Sequence, residues 1–208
     1  MSILALTSDT LSSPAAAGQI EYSSPIFAAT PIGTQRGIVP TQQYYRLNAD
    51  LVGANVTTAQ SIFGVGCTLS ASTIYEFEII FAISKSAGTT SHTVSVGFGG
   101  TATLNNIGYE VITQNGFTVM AGGMSGAAIN GFISTATATA IGIAQTSAAF
   151  FYNGTIKGTV SINAGGTFIP QYTLSAAPGG AYSTAAGSFI RIAPISASGA
   201  ATNVGTWS

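Results

Sequence analysis

Two carboxylates, one imidazole and one thiol are the side chains of this chain best suited to chemistry. Glu76 and Glu78 stand one residue apart in TIYEFEII (73–80). On an extended strand they point the same way, roughly 7 Å apart. An inverting glycosidase holds its acid and base about 6.5–9.5 Å apart, so spacing alone admits the pair. Such pairs flank a cleft, however, and seldom come from neighbours on one strand. The competing reading is a polar outer face, or ion pairs with Arg or Lys across a subunit contact. His92 is the only histidine. A catalytic role for it needs an activated nucleophile alongside. Gly123-Met124-Ser125-Gly126-Ala127 misses the last glycine of a G-x-S-x-G elbow and does not sit between a strand and a helix. A hydrogen-bonded loop histidine is the expectation. Cys67, the only cysteine, excludes an internal disulfide and reads as a small buried hydrophobe. One His and one Cys make no zinc site. Gly64 and Gly66 do not continue into a nucleotide-binding glycine motif. The expectation is a protein that is not an enzyme and carries no catalytic, cofactor or metal residues.

The elements that would position these groups are strands. In residues 73–84 Tyr75, Phe77, Ile79, Phe81 and Ile83 alternate with Glu76, Glu78 and Ser84, a period of two. Val94, Val96 and Phe98 continue the pattern after the loop SKSAGTT. A long hairpin over 73–98 follows, and parity pairs Phe81 with Val94 and Phe77 with Phe98, with His92 near Ile83. Phe150–Asn163 and Thr167–Leu174 read as a second hairpin turned by Ala164-Gly165-Gly166. That register sets Ile162 opposite Phe168 and Gly158 opposite Tyr172, whose ring would cover the glycine. Leu104–Thr113 and Ser188–Ile195 are further strands. In STATATA (134–140) Thr135, Thr137 and Thr139 share one face of a strand, read as solvated. Residues 114–130 are a glycine-rich loop, and Trp207 is expected to dock.

The first sixty residues carry less regular signal. Ser2–Thr7 reads as a short edge strand, Gln19–Ala29 as two short strands broken at Ser24–Pro25, and Gln42–Leu47 as another. Thr30–Pro40 has turn-formers and no period, and Asn48–Gln60 is the one stretch admitting a helical turn. The predicted organisation is an irregular N-terminal arm or cap over 1–60 and an antiparallel β-sandwich over 61–208. A jelly roll is the preferred topology, and the class is all-β.

Charge sets the partners. Only 5% of residues are Asp, Glu, Lys or Arg, against about 25% in ordinary domains. A net charge of −1 gives little self-repulsion, and few charges mean little desolvation cost when a surface is covered. Self-association, as a trimer, is the expectation. Five scattered basic residues make no phosphate-binding stripe, so nucleic acid is not an expected partner. No run approaches the ~18 apolar residues of a spanning helix, and membrane insertion is not expected. Arg36, Tyr44, Tyr45 and Arg46 are the candidate interaction residues, since Tyr and Arg dominate interfaces.

Three segments carry a resemblance: GTQRGIVPTQQYYRLNADLVG (33–53), STIYEFEIIFAISKSAGTTSHTVSVGFGGTATLNNI (72–107) and GTVSINAGGTFIPQYTLSAAPGGAYSTAAGSFIRIAPI (158–195). They resemble segments of structural proteins of tailed bacteriophages, and LTSDTLSSPAAAGQIEY (6–22) is similar to the entry into fibre-like modules of such virions. The resemblance spans most of residues 5–208 and is weakest over 114–148. It implies a virion component, of either capsid or tail. The first expectation is a capsid decoration or head-fibre protein, made in the host cytoplasm, whose partners are its own copies and a major capsid or tail protein. The alternative it leaves is a tail-tip or tail-fibre module that grips host glycan through the loops of 114–130 and 175–187. It brings no site residues.

Overall fold

The computed structural model describes residues 6–115, 128–199 and 203–207, and among them the regular elements are all β-strands. Sixteen follow in chain order. The first seven are short: β1 (Ile20–Ser23), β2 (Ile26–Ile32), β3 (Gln35–Val39), β4 (Gln43–Arg46), β5 (Leu51–Val52), β6 (Gln60–Ser61) and β7 (Cys67–Leu69). The body is built from β8 (Thr73–Lys85), β9 (Val94–Gly99), β10 (Thr103–Asn115), β11 (Ala128–Ile133), β12 (Thr139–Ala140), β13 (Phe150–Ala164), β14 (Gly166–Leu174), β15 (Ser183–Thr184) and β16 (Phe189–Ala197).

Two antiparallel sheets share one core. The larger runs β11-β10-β13-β8, and the far edge of β8 is divided between β16 and β15, which β4 and β5 extend. The smaller runs β12-β9-β14-β6, with β7 also on β14. The period-two pattern of β8 does what it predicts: Tyr75, Phe77, Ile79, Phe81 and Ile83 are buried and the residues between them face outward. An aromatic cluster joins the sheets. Phe98 of the smaller sheet lies 5.3 Å from Phe77 and 5.1 Å from Tyr109 of the larger, and stacks on Phe168 at 4.7 Å. Each pair adds about 1 kcal/mol beyond the area its rings bury.

Neither predicted hairpin forms. β8 pairs with β13 and β16, whereas β9 pairs with β14 and β12, so residues 73–98 arch from one sheet to the other. Phe77 and Phe98 do meet, but across the core rather than along a ladder. Lys85 holds the start of the arch. Its buried ammonium lies within hydrogen-bond distance of four carbonyls, those of Ala87 (3.2 Å), Gly88 (2.7 Å), Ala148 (3.0 Å) and Ser147, which share its three N–H donors, and burial lowers its pKa.

The chain likewise crosses between sheets from β13 to β14, with Gly165 alone between them. Strands that change sheet in this way make the corners of a sandwich. The corner is glycine because a Cβ at Gly166 would lie 2.6 Å from Ala102 N, and one at Gly165 2.9 Å from Leu69 O. A second crossing, β9 to β10, turns at Gly100 (φ +114°) and packs on the first: Ala102 N–H donates to Thr167 O at 3.0 Å. Gly158 therefore sits opposite Tyr109, not Tyr172. Ile162 faces Leu104 rather than Phe168.

Other expectations change with the topology. STATATA is mostly irregular: only Thr139 of its threonines lies in a strand, and Thr135 Oγ1 accepts from Thr137 N–H in a local turn. Asn48–Gln60 holds no helical turn, and Thr30–Pro40 carries the end of β2 and all of β3. Leu6 and Thr7 are not in a strand. Trp207 does not dock. It is 79% exposed, because its indole N–H is taken by Val204 O in a tight terminal turn. Most of the 114–130 loop lies outside the described residues. β1, β2 and β3 form a separate three-stranded sheet, whereas β4, β5 and β6 are hydrogen-bonded into the two large sheets.

Candidate interaction surfaces

The outward side of the larger sheet gathers Glu76, Glu78, Glu110, Lys157, Arg191 and Arg46, more than half the charges of the chain. Strand register explains the arrangement. Glu78 of β8 lies directly between Lys157 of β13 and Arg191 of β16. Lys157 Nζ reaches its Oε1 at 2.9 Å and Arg191 bridges its other oxygen. The hydrogen bond from Lys157, then the Arg191 charge, holds the Glu78 carboxyl below the usual range. Glu78 is thus an ionised carboxylate whose two oxygens are both taken by cations, the wrong state for a general acid and a poor one for a nucleophile. Glu76 is exposed and faces Thr159 and Ala193. The pair lies on the outer face of a sheet, and the ion pairs are made within the chain.

His92 is buried. Its Nδ1 donates to Thr90 O at 2.7 Å, which leaves Nε2 to accept from Tyr182 O–H at 2.8 Å. Both ring nitrogens are thus engaged within the chain, as expected of a hydrogen-bonded histidine. The Gly123–Ala127 pattern lies outside the described residues. Among the described residues no three His, Cys, Asp or Glu side chains come together.

The four interaction candidates divide. Arg36 is half-buried inside the three-stranded sheet unit, where it donates to Glu21 Oε2 at 2.9 Å and to Ser12 O at 2.6 Å. Tyr44, Tyr45 and Arg46 lie together on β4, an edge strand of the larger sheet. Tyr44 stands outward against Phe189 (5.5 Å), and Arg46 bonds Asn48. Tyr45 points the other way, edge-on to Phe63 at 6.2 Å. There it borders a cleft of about 350 Å³ between β4 and β7, lined also by Val65, Cys67, Phe168 and Ile190. Cys67 is half-buried rather than fully buried. Its thiol contacts Gln43 Oε1 at 3.3 Å, and burial raises its pKa. Sequence reasoning missed this cleft, because its walls come from segments over a hundred residues apart.

Large apolar side chains that do not line that cleft also stand in solvent: Phe132 (74%), Val52 (71%), Ile20 (69%) and Ile32 (65%). No known protein family matches the chain, and no curated protein or solved structure is significantly similar to it.

Proposed function

We propose that the chain is a bacteriophage virion structural protein, a trimeric capsid decoration or head-fibre (cement) protein that acts by burying surface. The observation that carries this reading is the exposure of large apolar side chains over a sparsely charged, all-β body. Such a surface costs little to cover and gains from being covered. In this reading the sandwich is of the jelly-roll kind and the β1–β3 unit is an attachment arm. Its exposed Ile20 and Ile32 supply the apolar contact with the shell, each interface exceeding ~1,000 Å². The resemblance to structural proteins of tailed phages supports the same assignment.

The test is deletion of residues 1–40, which removes the three-stranded unit and leaves β4 on β16. The truncated protein is expected to keep its β-type circular dichroism and to lose binding to purified capsids. Undiminished capsid binding by it refutes the arm. Binding of full-length protein to host glycan on an array, with none to capsids, replaces decoration by the receptor-binding reading.

A further inference from the structure

Directly opposed residues of neighbouring strands share a face, so registers can be chained across a sheet. On the larger sheet Phe132 opposes Glu110, Glu110 opposes Lys157, Lys157 opposes Glu78, Glu78 opposes Arg191, and Arg191 opposes Tyr44. The row crosses six strands on the outward side. It reads aromatic, negative, positive, negative, positive, aromatic. Its end members are largely exposed, Phe132 at 74% and Tyr44 at 59%.

This order is complementary to its own reverse. Turned end for end and laid on itself, the row sets Phe132 on Tyr44, Glu110 on Arg191 and Lys157 on Glu78. The adjacent row, Ile112–Thr155–Ile80–Phe189, obeys the same operation, with Ile112 on Phe189 and Thr155 on Ile80. Ile112, Thr155 and Ile80 line a trough of about 530 Å³, and both isoleucines are over 40% exposed.

We propose that the outward side of the larger sheet is a two-fold interface with a second copy of this chain, its axis parallel to the strands and between β13 and β8. An isologous contact requires a self-complementary patch, and these rows are one. The charges also choose the axis. A two-fold perpendicular to the strands sets Glu110 on Glu110 and Arg191 on Arg191, which repel. Six strands about 4.8 Å apart and up to ~40 Å long, less the end near Glu76 and Ala193 that Ile38, Pro40 and Gln42 border, offer roughly 800 Å² per copy, the size of a standard specific interface. The contact does not rest on the virion reading: it pairs copies, whereas a trimer uses a different, head-to-tail patch.

The experiment is a reciprocal charge swap, read by sedimentation and native mass spectrometry at tens of micromolar. Wild-type protein is expected as dimers, or as paired trimers where the three-fold contact also forms. Glu110→Arg and Arg191→Glu are each expected to weaken pairing about tenfold or more, since each sets like charges together twice. An equimolar mixture of the two restores every opposite-charge contact and is expected to form a 1:1 heterodimer within a few-fold of wild-type affinity. Arg191→Glu also removes a bridge to Glu78, so a second reporter stays clear of it. Phe132→Asp, on the outermost strand, is expected to abolish pairing with the melting temperature unchanged. Wild-type protein found only as monomers or trimers overturns the proposal. So does a mixture no tighter than either variant, or a Phe132→Asp protein that still pairs.

Discussion

The arch from β8 to β9 can be tested with two engineered disulfides, both in a Cys67→Ser background. Ser95 of β9 opposes Thr173 of β14 on the outward side of the smaller sheet. Opposed residues of antiparallel strands have Cα atoms about 4.5–5.5 Å apart, inside the 4.4–6.8 Å that a disulfide spans. Ser95→Cys with Thr173→Cys should therefore oxidise in dilute solution without strain. The bond closes a loop of roughly 80 residues, for which chain entropy gives about 4.5 kcal/mol of stabilisation. In a protein of this size that is a rise in melting temperature on the order of 10 °C. The control pair is Ile80→Cys with Ser95→Cys. In a 73–98 hairpin with Phe81 opposite Val94 these two are neighbours. In the arch they lie on opposite outer faces, beyond two backbones about 10 Å apart, and point away from each other. Free-thiol titration and non-reducing electrophoresis read both pairs. Ready intramolecular oxidation of the 80/95 pair, with free thiols persisting in the 95/173 pair, would refute the two-sheet arrangement.

Further outcomes follow from the core. Tyr109 O–H is buried without a hydrogen-bond partner among the described residues, so Tyr109→Phe should stabilise the fold by about 1 kcal/mol, whereas Tyr182→Phe, which strips His92 Nε2 of its donor, should cost about 1–3 kcal/mol in urea titrations. Burial pushes Tyr109 and Tyr172 up to about 12, and Tyr182 higher still. Groups raised on folding stabilise fully below their unfolded value near 10 and lose that contribution as pH climbs through the folded value, so these two shifts of about two units withdraw roughly 5 kcal/mol between pH 10 and 12. Lys85 acts in the opposite sense, because its lowered pKa lets stability rise with pH below 10.5. Ionisation of Tyr109, Tyr172 and Tyr182, read as the last rise in tyrosinate absorbance, should coincide with loss of circular dichroism; their ionisation near pH 10 with the fold intact would count against this. Lys85→Met should cost about 1–3 kcal/mol by removing the ammonium that part-buried carbonyls of two loops share, measured by thermal melting. Gly158→Ala places a Cβ 2.3 Å from the backbone oxygen of Gly108 and should cost about 3 kcal/mol or prevent folding, while Gly108→Ala meets only the tip of the Phe132 ring and should cost under about 1 kcal/mol.

Which side of each long strand is buried was legible in the sequence, because alternation is local. Residues 73–85 and 150–160 bury the side that their apolar members mark. The partner of each strand was not. Parity requires only that Phe77 and Phe98 both face the core, and a neighbour in the same sheet satisfies that as well as a strand in the opposite sheet. Choosing between them needs the positions of β13, β14 and β16, which begin 65 or more residues after β8 ends. The candidate surface shows the same division. Glu78 was legible as an outward carboxylate, and its two cations were not, because Lys157 and Arg191 meet it only through long-range register. Tyr44 and Tyr45 stand out in the sequence only by residue type, and the pairing of β4 with β16 is what sends one to the outer face and the other to the cleft.

The sheet crossings at β8–β9, β9–β10 and β13–β14 also bear on how the chain is made. β8 cannot pair with the strand that follows it, and its partners β13, β15 and β16 lie between residues 150 and 197. At about 5–20 residues per second, a ribosome needs on the order of 4–15 s after finishing β8 to deliver β13. For that interval a thirteen-residue stretch bearing Tyr75, Phe77, Ile79, Phe81 and Ile83 has left the exit tunnel with no sheet to join. Synthesis in cells with raised chaperone levels is therefore expected to increase the soluble yield.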